Sequence, residues 1–230
     1  MLDLGCGSGR LFRTFLDGGA ERVIGVDGSS ALLERAASRI VSDDRLRDAA
    51  AAGRINLSNG DVRTVSSPDR FSMIVLAGVI AHLDGPEDAL RTLAAARRLL
   101  RPGGVLIVDL LGPGALPAED LPLSLDWERT IGDRRIVRRS RLDRREAPEG
   151  LRVAYSTLTD VVDASGTMTR LPASFRLWYP SVEAILALAA EVNLEVVAAF
   201  GSHDLEPLDE RSERCIVVLG SGTRVPGRGD

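Results

Sequence analysis

Over its first 112 residues the chain alternates short apolar runs with stretches of helix-type spacing. Leu2 to Leu4 is an apolar strand ending in a loop with glycine at every second position, Gly5, Gly7 and Gly9. Arg10 to Leu16 then reads as the start of a helix. Val23 to Val26 is a second apolar run, closed by Asp27. Leu32, Leu33, Ala36, Ala37 and Ile40 fall on one side of the next helix, with Ser29 or Ser30 as its N-cap. A polar, alanine-rich stretch from Asp43 to Gly53 suggests another short helix. Ile55 to Leu57 begins a third strand that finishes near Asp61, and Phe71 to Leu76 is a fourth. Pro86 opens a long helix carrying Ala89, Leu93, Ala96 and Leu99, a favourable place for proline. Arg101 to Gly104 breaks that helix and leads into a fifth strand, Val105 to Val108. This rhythm predicts an α/β fold, a doubly wound parallel sheet with helices on both faces.

Beyond Gly112 the period changes to two. Trp127 to Ile131, Arg135 to Leu142, Leu151 to Val162 and Met168 to Leu177 alternate as strands, separated by turn pairs such as Gly132-Asp133 and Ser165-Gly166. They predict an antiparallel meander of three or four strands. Helix spacing returns at Val182, and two last strands, Glu195 to Phe200 and Cys215 to Leu219, complete the main sheet. The expected organisation is a core of residues 1–112 and 180–220, a β-rich insertion or lid over 113–179, and a disordered tail at 221–230.

Composition narrows the function. Hydrophobic content of 44% suffices for one buried core, and a net charge of -4 offers no general attraction to nucleic acid or anionic membranes. Cys6 and Cys215 lie far apart, outside any metal-type spacing, which predicts reduced thiols, a cytoplasmic protein and no metal. No apolar run reaches the roughly 18 residues of a membrane span.

The glycine loop departs from the dinucleotide fingerprint, because position 10 is Arg where that motif needs glycine. Its companions are acids at strand ends. Asp27 has the spacing of a ribose-binding carboxylate. Asp61 closes the third strand, where it could accept from an adenine amino group, and Asp3 would suit a cationic amino group. Together they describe an adenosine bearing an amino acid.

Leu2-Asp3-Leu4-Gly5-Cys6-Gly7-Ser8-Gly9 resembles the first motif of class I S-adenosylmethionine-dependent methyltransferases, of the small-molecule type. Val26-Asp27-Gly28-Ser29 resembles their second motif, Asn59-Gly60-Asp61-Val62 their adenine-contacting segment, and Leu99 to Gly104 their helix-to-strand turn. The resemblance implies a Rossmann-like sheet of seven strands, the last antiparallel, with S-adenosyl-L-methionine over the C-terminal strand ends. It implies cofactor contacts at Asp3, Gly5, Cys6, Gly7, Asp27, Gly28, Asp61, Val62 and Ala77. Cys6 would fill space in the loop rather than act as a nucleophile. The family carries a helix and several strand residues before the motif-one aspartate, whereas only Met1 and Leu2 precede Asp3. The expectation is therefore an earlier true start, or a truncated domain with weakened cofactor binding.

Methyl transfer needs alignment more than a catalytic signature, with a general base where the acceptor is a hydroxyl or charged amine. His82, after the fourth strand, and His203, after the sixth, are the candidate bases, with Tyr179 beside them. Each has a plainer reading: a packing or capping histidine near Pro86, a surface-loop histidine, and a core tyrosine. Arg176 and Trp178 could line the same pocket. Seven arginines between 134 and 145 suit an anionic acceptor or, more plainly, a solvated strand. The expected activity is transfer of a methyl group to O or N of a small-molecule acceptor, in a chain that could pair as a homodimer. Two alternatives stay open: a non-catalytic or impaired binding protein of the same fold, and a nicotinamide-dependent oxidoreductase.

Overall fold

The computed structural model describes residues 1–221. Two sheets account for all its strands. The seven-stranded sheet has the order β10-β11-β5-β4-β1-β2-β3. Its parallel part is β1 (Leu2–Leu4), β2 (Val23–Asp27), β3 (Ile55–Asn59), β4 (Phe71–Ala77) and β5 (Leu100–Leu111). Strand β11 (Arg214–Ser221) runs antiparallel to both β5 and β10 (Leu194–Phe200). The strand order reverses at β1, so the C-terminal ends of β1 and β4 diverge into a crevice, the usual ligand position in such sheets.

Helices cover the sheet where its residues are aliphatic. On one side α1 (Phe12–Asp17), α2 (Ser30–Ser42) and α3 (Asp44–Ala51) bury Phe12, Leu16, Ile40 and Leu46 against Val23 and Ile55. On the other, α4 (Pro86–Leu99) and α5 (Val182–Glu191) pack Leu93, Leu99, Ile185 and Leu188 on Leu4, Ile74, Leu76, Leu106, Val108 and Val217. Caps set the helix starts: the Ser29 hydroxyl accepts from Leu32 N–H at 3.3 Å, and Ser181 does the same for Ala184 at 3.1 Å.

The second sheet is a four-stranded antiparallel meander, β6 (Leu121–Ile131), β7 (Arg134–Ala147), β8 (Gly150–Val162) and β9 (Met168–Pro180). It is anchored to the core at its β8–β9 end. Trp178 is 1% exposed and belongs to the main core cluster. The Arg152 guanidinium donates to the Asp84 carbonyl at 3.0 Å, and Ser181 N–H to the Glu149 carbonyl at 3.1 Å. Strand β9 runs beside the short 3-10 turn Ile80–His82 that follows β4.

Four boundaries differ from the sequence pattern. The first helix begins at Phe12, because Arg10 and Leu11 belong to the glycine turn. Strand β5 begins at Leu100 rather than Val105: Arg101 to Gly104 form a bulge against Phe71 and Met73, with Gly103 at φ 75°. The meander strands are longer than their most regular alternation, as β6 starts at Leu121 despite Pro122 on this outer strand. Ser221 closes β11, so the expected tail begins no earlier than residue 222, and residues 222–230 lie outside the described part.

Candidate active site

The glycine loop is built by its own hydrogen bonds. Gly5 and Cys6 N–H both donate to the Val26 carbonyl, at 2.7 and 3.0 Å, which folds the chain back over the end of β2. That turn requires Gly5 and Gly7 at φ 74° and 54°, the left-handed region that penalises a side chain. A Cβ on Gly5 would strike Val79 at 2.4 Å, whereas one on Gly7 would meet nothing within 4 Å. The loop is therefore packed by protein at Gly5 and open at Gly7.

Asp27 pins this open segment. Its carboxylate accepts from Gly7 N–H at 2.7 Å and from Ser29 N–H at 2.8 Å, one donor to each oxygen. Each oxygen keeps a further acceptor position, and the residue is 9% exposed.

A cleft of about 980 Å³ opens over these atoms. Gly5, Gly7, Asp27, Gly28, Asp61, Val62 and Ala77 line it, seven of the nine positions singled out from sequence. Its volume lies at the top of the range of roughly 300–1,000 Å³ usual for one small ligand, so it has room for a nucleoside and a second molecule. Another recess, of about 700 Å³, lies around Met1, Arg22, Phe71 and Arg101, at the opposite ends of the strands and away from the acids.

The other two positions, Asp3 and Cys6, are buried and not part of the cleft lining. Asp3 pairs in register with Gly25 and Val75, on the sheet face beneath the glycine loop, and is 2% exposed with no donor among the described residues. Burial, reinforced by the Asp27 charge, pushes its carboxyl up to about 7. Cys6 is also buried, and burial with the Asp3 and Asp27 charges pushes its thiol up to about 12, so it stays protonated.

Of the candidate bases, His82 lines the cleft beside Asp84. His203 does not; its side chain is 70% exposed and faces Asp109 at 3.4 Å, a carboxylate already held by Arg214. Tyr179 is half-buried on β9 outside the cleft lining, its hydroxyl pushed up by burial and by Tyr155. Trp178 packs in the core rather than lining the cleft, and Arg176 is exposed.

Three cleft residues gave no separate signal in the sequence. Phe175 reaches the site from β9 and stacks on Tyr155 of β8 at 6.4 Å. Arg63 clamps the Asp61 carboxylate, and Asp88 at the start of α4 holds the other arm of that guanidinium. The arginines of β7 are largely neutralised: Arg135, Arg138, Arg139, Arg141 and Arg144 face Glu128, Asp126, Asp160, Asp143 and Glu146. That pairing favours the plainer reading of the arginine run over an anion site.

Residues 1–104 match the family model described as a methyltransferase domain. The chain is 31% identical over 109 residues to a probable methyltransferase, ltbC, of Aspergillus luteorubrus, covering 46% of this chain and 38% of the relative. The chain thus spans well under two thirds of that relative's length. Among solved structures, the CcbJ methyltransferase from Streptomyces caelestis superposes with a TM-score of 0.73 at 21% identity, over 96% of this chain and 82% of that one. CalS10, an amino pentose methyltransferase from Micromonospora echinaspora, gives 0.69 at 23% identity, over 96% and 82%. These structures share the fold, including the second sheet.

Proposed function

We propose that this chain, whose residues 1–104 match the methyltransferase domain model, is an S-adenosylmethionine-dependent methyltransferase acting on O or N of a small molecule. The observation that carries this reading is the Asp27 carboxylate, bonded to the open glycine loop and still offering acceptor positions to the cleft. The donor set fits the cofactor. Asp27 would take the ribose hydroxyls, Gly7 leaves room for the chain beside it, Asp61 and Val62 would frame the adenine, and Ala77 would border the methionine part. Asp3, buried and without a donor among the described residues, would supply negative charge beneath the loop for an ammonium group once its carboxyl is ionised.

The bound cofactor supplies an electrophilic methyl group on a sulfonium. The chain's own residues align and shield. Phe175 offers an apolar ring to the cleft, and His82 and Asp84 line the same cleft. His82 is the residue placed to take a proton from an acceptor amine or hydroxyl. Amino sugars are a fitting acceptor class, because CalS10 is an amino pentose methyltransferase and shares the fold. Nucleic acid fits poorly, given a net charge of -4 and arginines already paired along β7. No helix among the described residues is long and apolar enough to cross a membrane. Buried, unbridged Cys6 and Cys215 suit the reducing cytoplasm. A second copy of the chain would cover the exposed Leu121, Leu123, Leu125, Ile131 and Leu171 of the outer sheet.

Isothermal titration with S-adenosylmethionine, followed by transfer of labelled methyl to a panel of amines and amino sugars, tests the reading. Asp27→Ala is expected to weaken cofactor binding by about 1–3 kcal/mol, since two backbone donors and the ligand hydroxyls lose their acceptor. An unchanged dissociation constant would remove Asp27 from the role.

A further inference from the structure

Asp61 does not present a free carboxylate to the cleft. Arg63 Nε lies 2.9 Å from Oδ1 and 3.0 Å from Oδ2, and Nη2 lies 2.6 Å from Oδ2. The backbone N–H of Arg63 adds a bond to Oδ1 at 2.9 Å. These contacts use three hydrogens, the one on Nε being shared and nearer Oδ1, so of the roughly four acceptor positions of a carboxylate about one is left, on Oδ2. The residue still lines the cleft.

The other end of Arg63 is equally fixed. Nη1 donates to Asp88 Oδ2 at 2.7 Å. The Asp88 side chain is 7% exposed, sits in the first turn of α4 and is also held by Arg91. The guanidinium therefore spans the cleft wall from the loop after β3 to the start of α4. Its rotation would break contacts at both ends.

We propose that Arg63 is a positioning residue for nucleobase recognition: it fixes Asp61 so that the one remaining acceptor position meets the 6-amino group of a purine. The proposal rests on the reading that the cleft holds an S-adenosyl ligand. A 6-amino group donates to that oxygen. A 6-oxo group would set a carbonyl oxygen against the carboxylate, with no donor between them. Arg63 also holds the Asp61 carboxyl below the usual carboxylate range, which keeps it an acceptor at neutral pH. A planar fork is needed to grip two oxygens and a distant third at once, and a lysine ammonium cannot do so.

The test compares S-adenosylhomocysteine with S-inosylhomocysteine by isothermal titration on the full chain. Wild type is expected to prefer the 6-amino ligand by about tenfold or more, the scale of one hydrogen bond to a charged acceptor. In Arg63→Gln the preference should fall to within about threefold while S-adenosylhomocysteine still binds. Arg63→Lys should lose it as well, despite keeping the charge. Asp88 retains Arg91 in both variants, and a thermal melt reports the fold separately. If either variant binds S-adenosylhomocysteine with the wild-type preference, Arg63 has no part in selection, although the cofactor reading stands. If wild type binds neither ligand, the cofactor reading and this proposal fall together.

Discussion

Asp3 shows how one side chain can carry information that its neighbours hide. Its identity suggested a ligand contact, and strand alternation sets it on the face opposite Leu2 and Leu4, where burial raises its carboxyl to about 7. The folded state therefore binds a proton that the unfolded chain has released above pH 4. The stability tied to neutral Asp3 is fully present below about pH 4 and is lost as pH rises to about 7, on the order of 4 kcal/mol. Asp3→Asn should remove this slope and raise the melting temperature above pH 7, read from melts between pH 4 and 8. Affinity for S-adenosylmethionine should rise between pH 6 and 8 in wild type, as the carboxylate forms, and stay flat in the variant. The glycine loop and Asp27 were legible because each ends an apolar run, and Asp61 because it follows the third strand, features of the chain alone. Arg63 was not, because its meaning depends on Asp88, which comes close only when α4 packs. Phe175 was hidden for the same reason: its period-two strand looked like any other until β9 settled beside the turn after β4.

Among the elements, the parallel strands and their helices were readable, as hydrophobic period and length agree there. The meander was readable as strands, but its relation to the cleft was not, since nothing in a period-two pattern says which end is anchored. Trp178 provides that anchor. Its ring is 1% exposed in the core and its Nε1 is buried without an acceptor among the described residues. Trp178→Ala should cost about 3–5 kcal/mol in urea unfolding. Trp178→Phe should cost less than about 1.5 kcal/mol, because it keeps a ring and removes an unsatisfied donor. In the alanine variant Phe175 would lose its placement, so acceptor turnover should fall further than cofactor affinity, a split that activity and titration measure side by side.

At the scale of the molecule, two sheets divide the work along the chain. Residues 1–111 supply all of the cleft lining but one residue, and β9 reaches back to add Phe175. The acids that define the nucleoside half stand within 61 residues of the start, which is why that half was legible and the acceptor half was not.

Strand β11 lies between β5 and β10, although it follows both of them in the chain. Until residues 214–221 leave the ribosome, β5 has a bare aliphatic edge from Val105 to Leu111 with no partner on that side. Such an edge invites pairing with another nascent chain. A version ending at Glu213 should therefore collect in inclusion bodies, and a separately supplied peptide of residues 214–221 should return part of it to the supernatant. Termination ahead of Arg214 would in this way cost the cell everything already made, not only the strand that is missing.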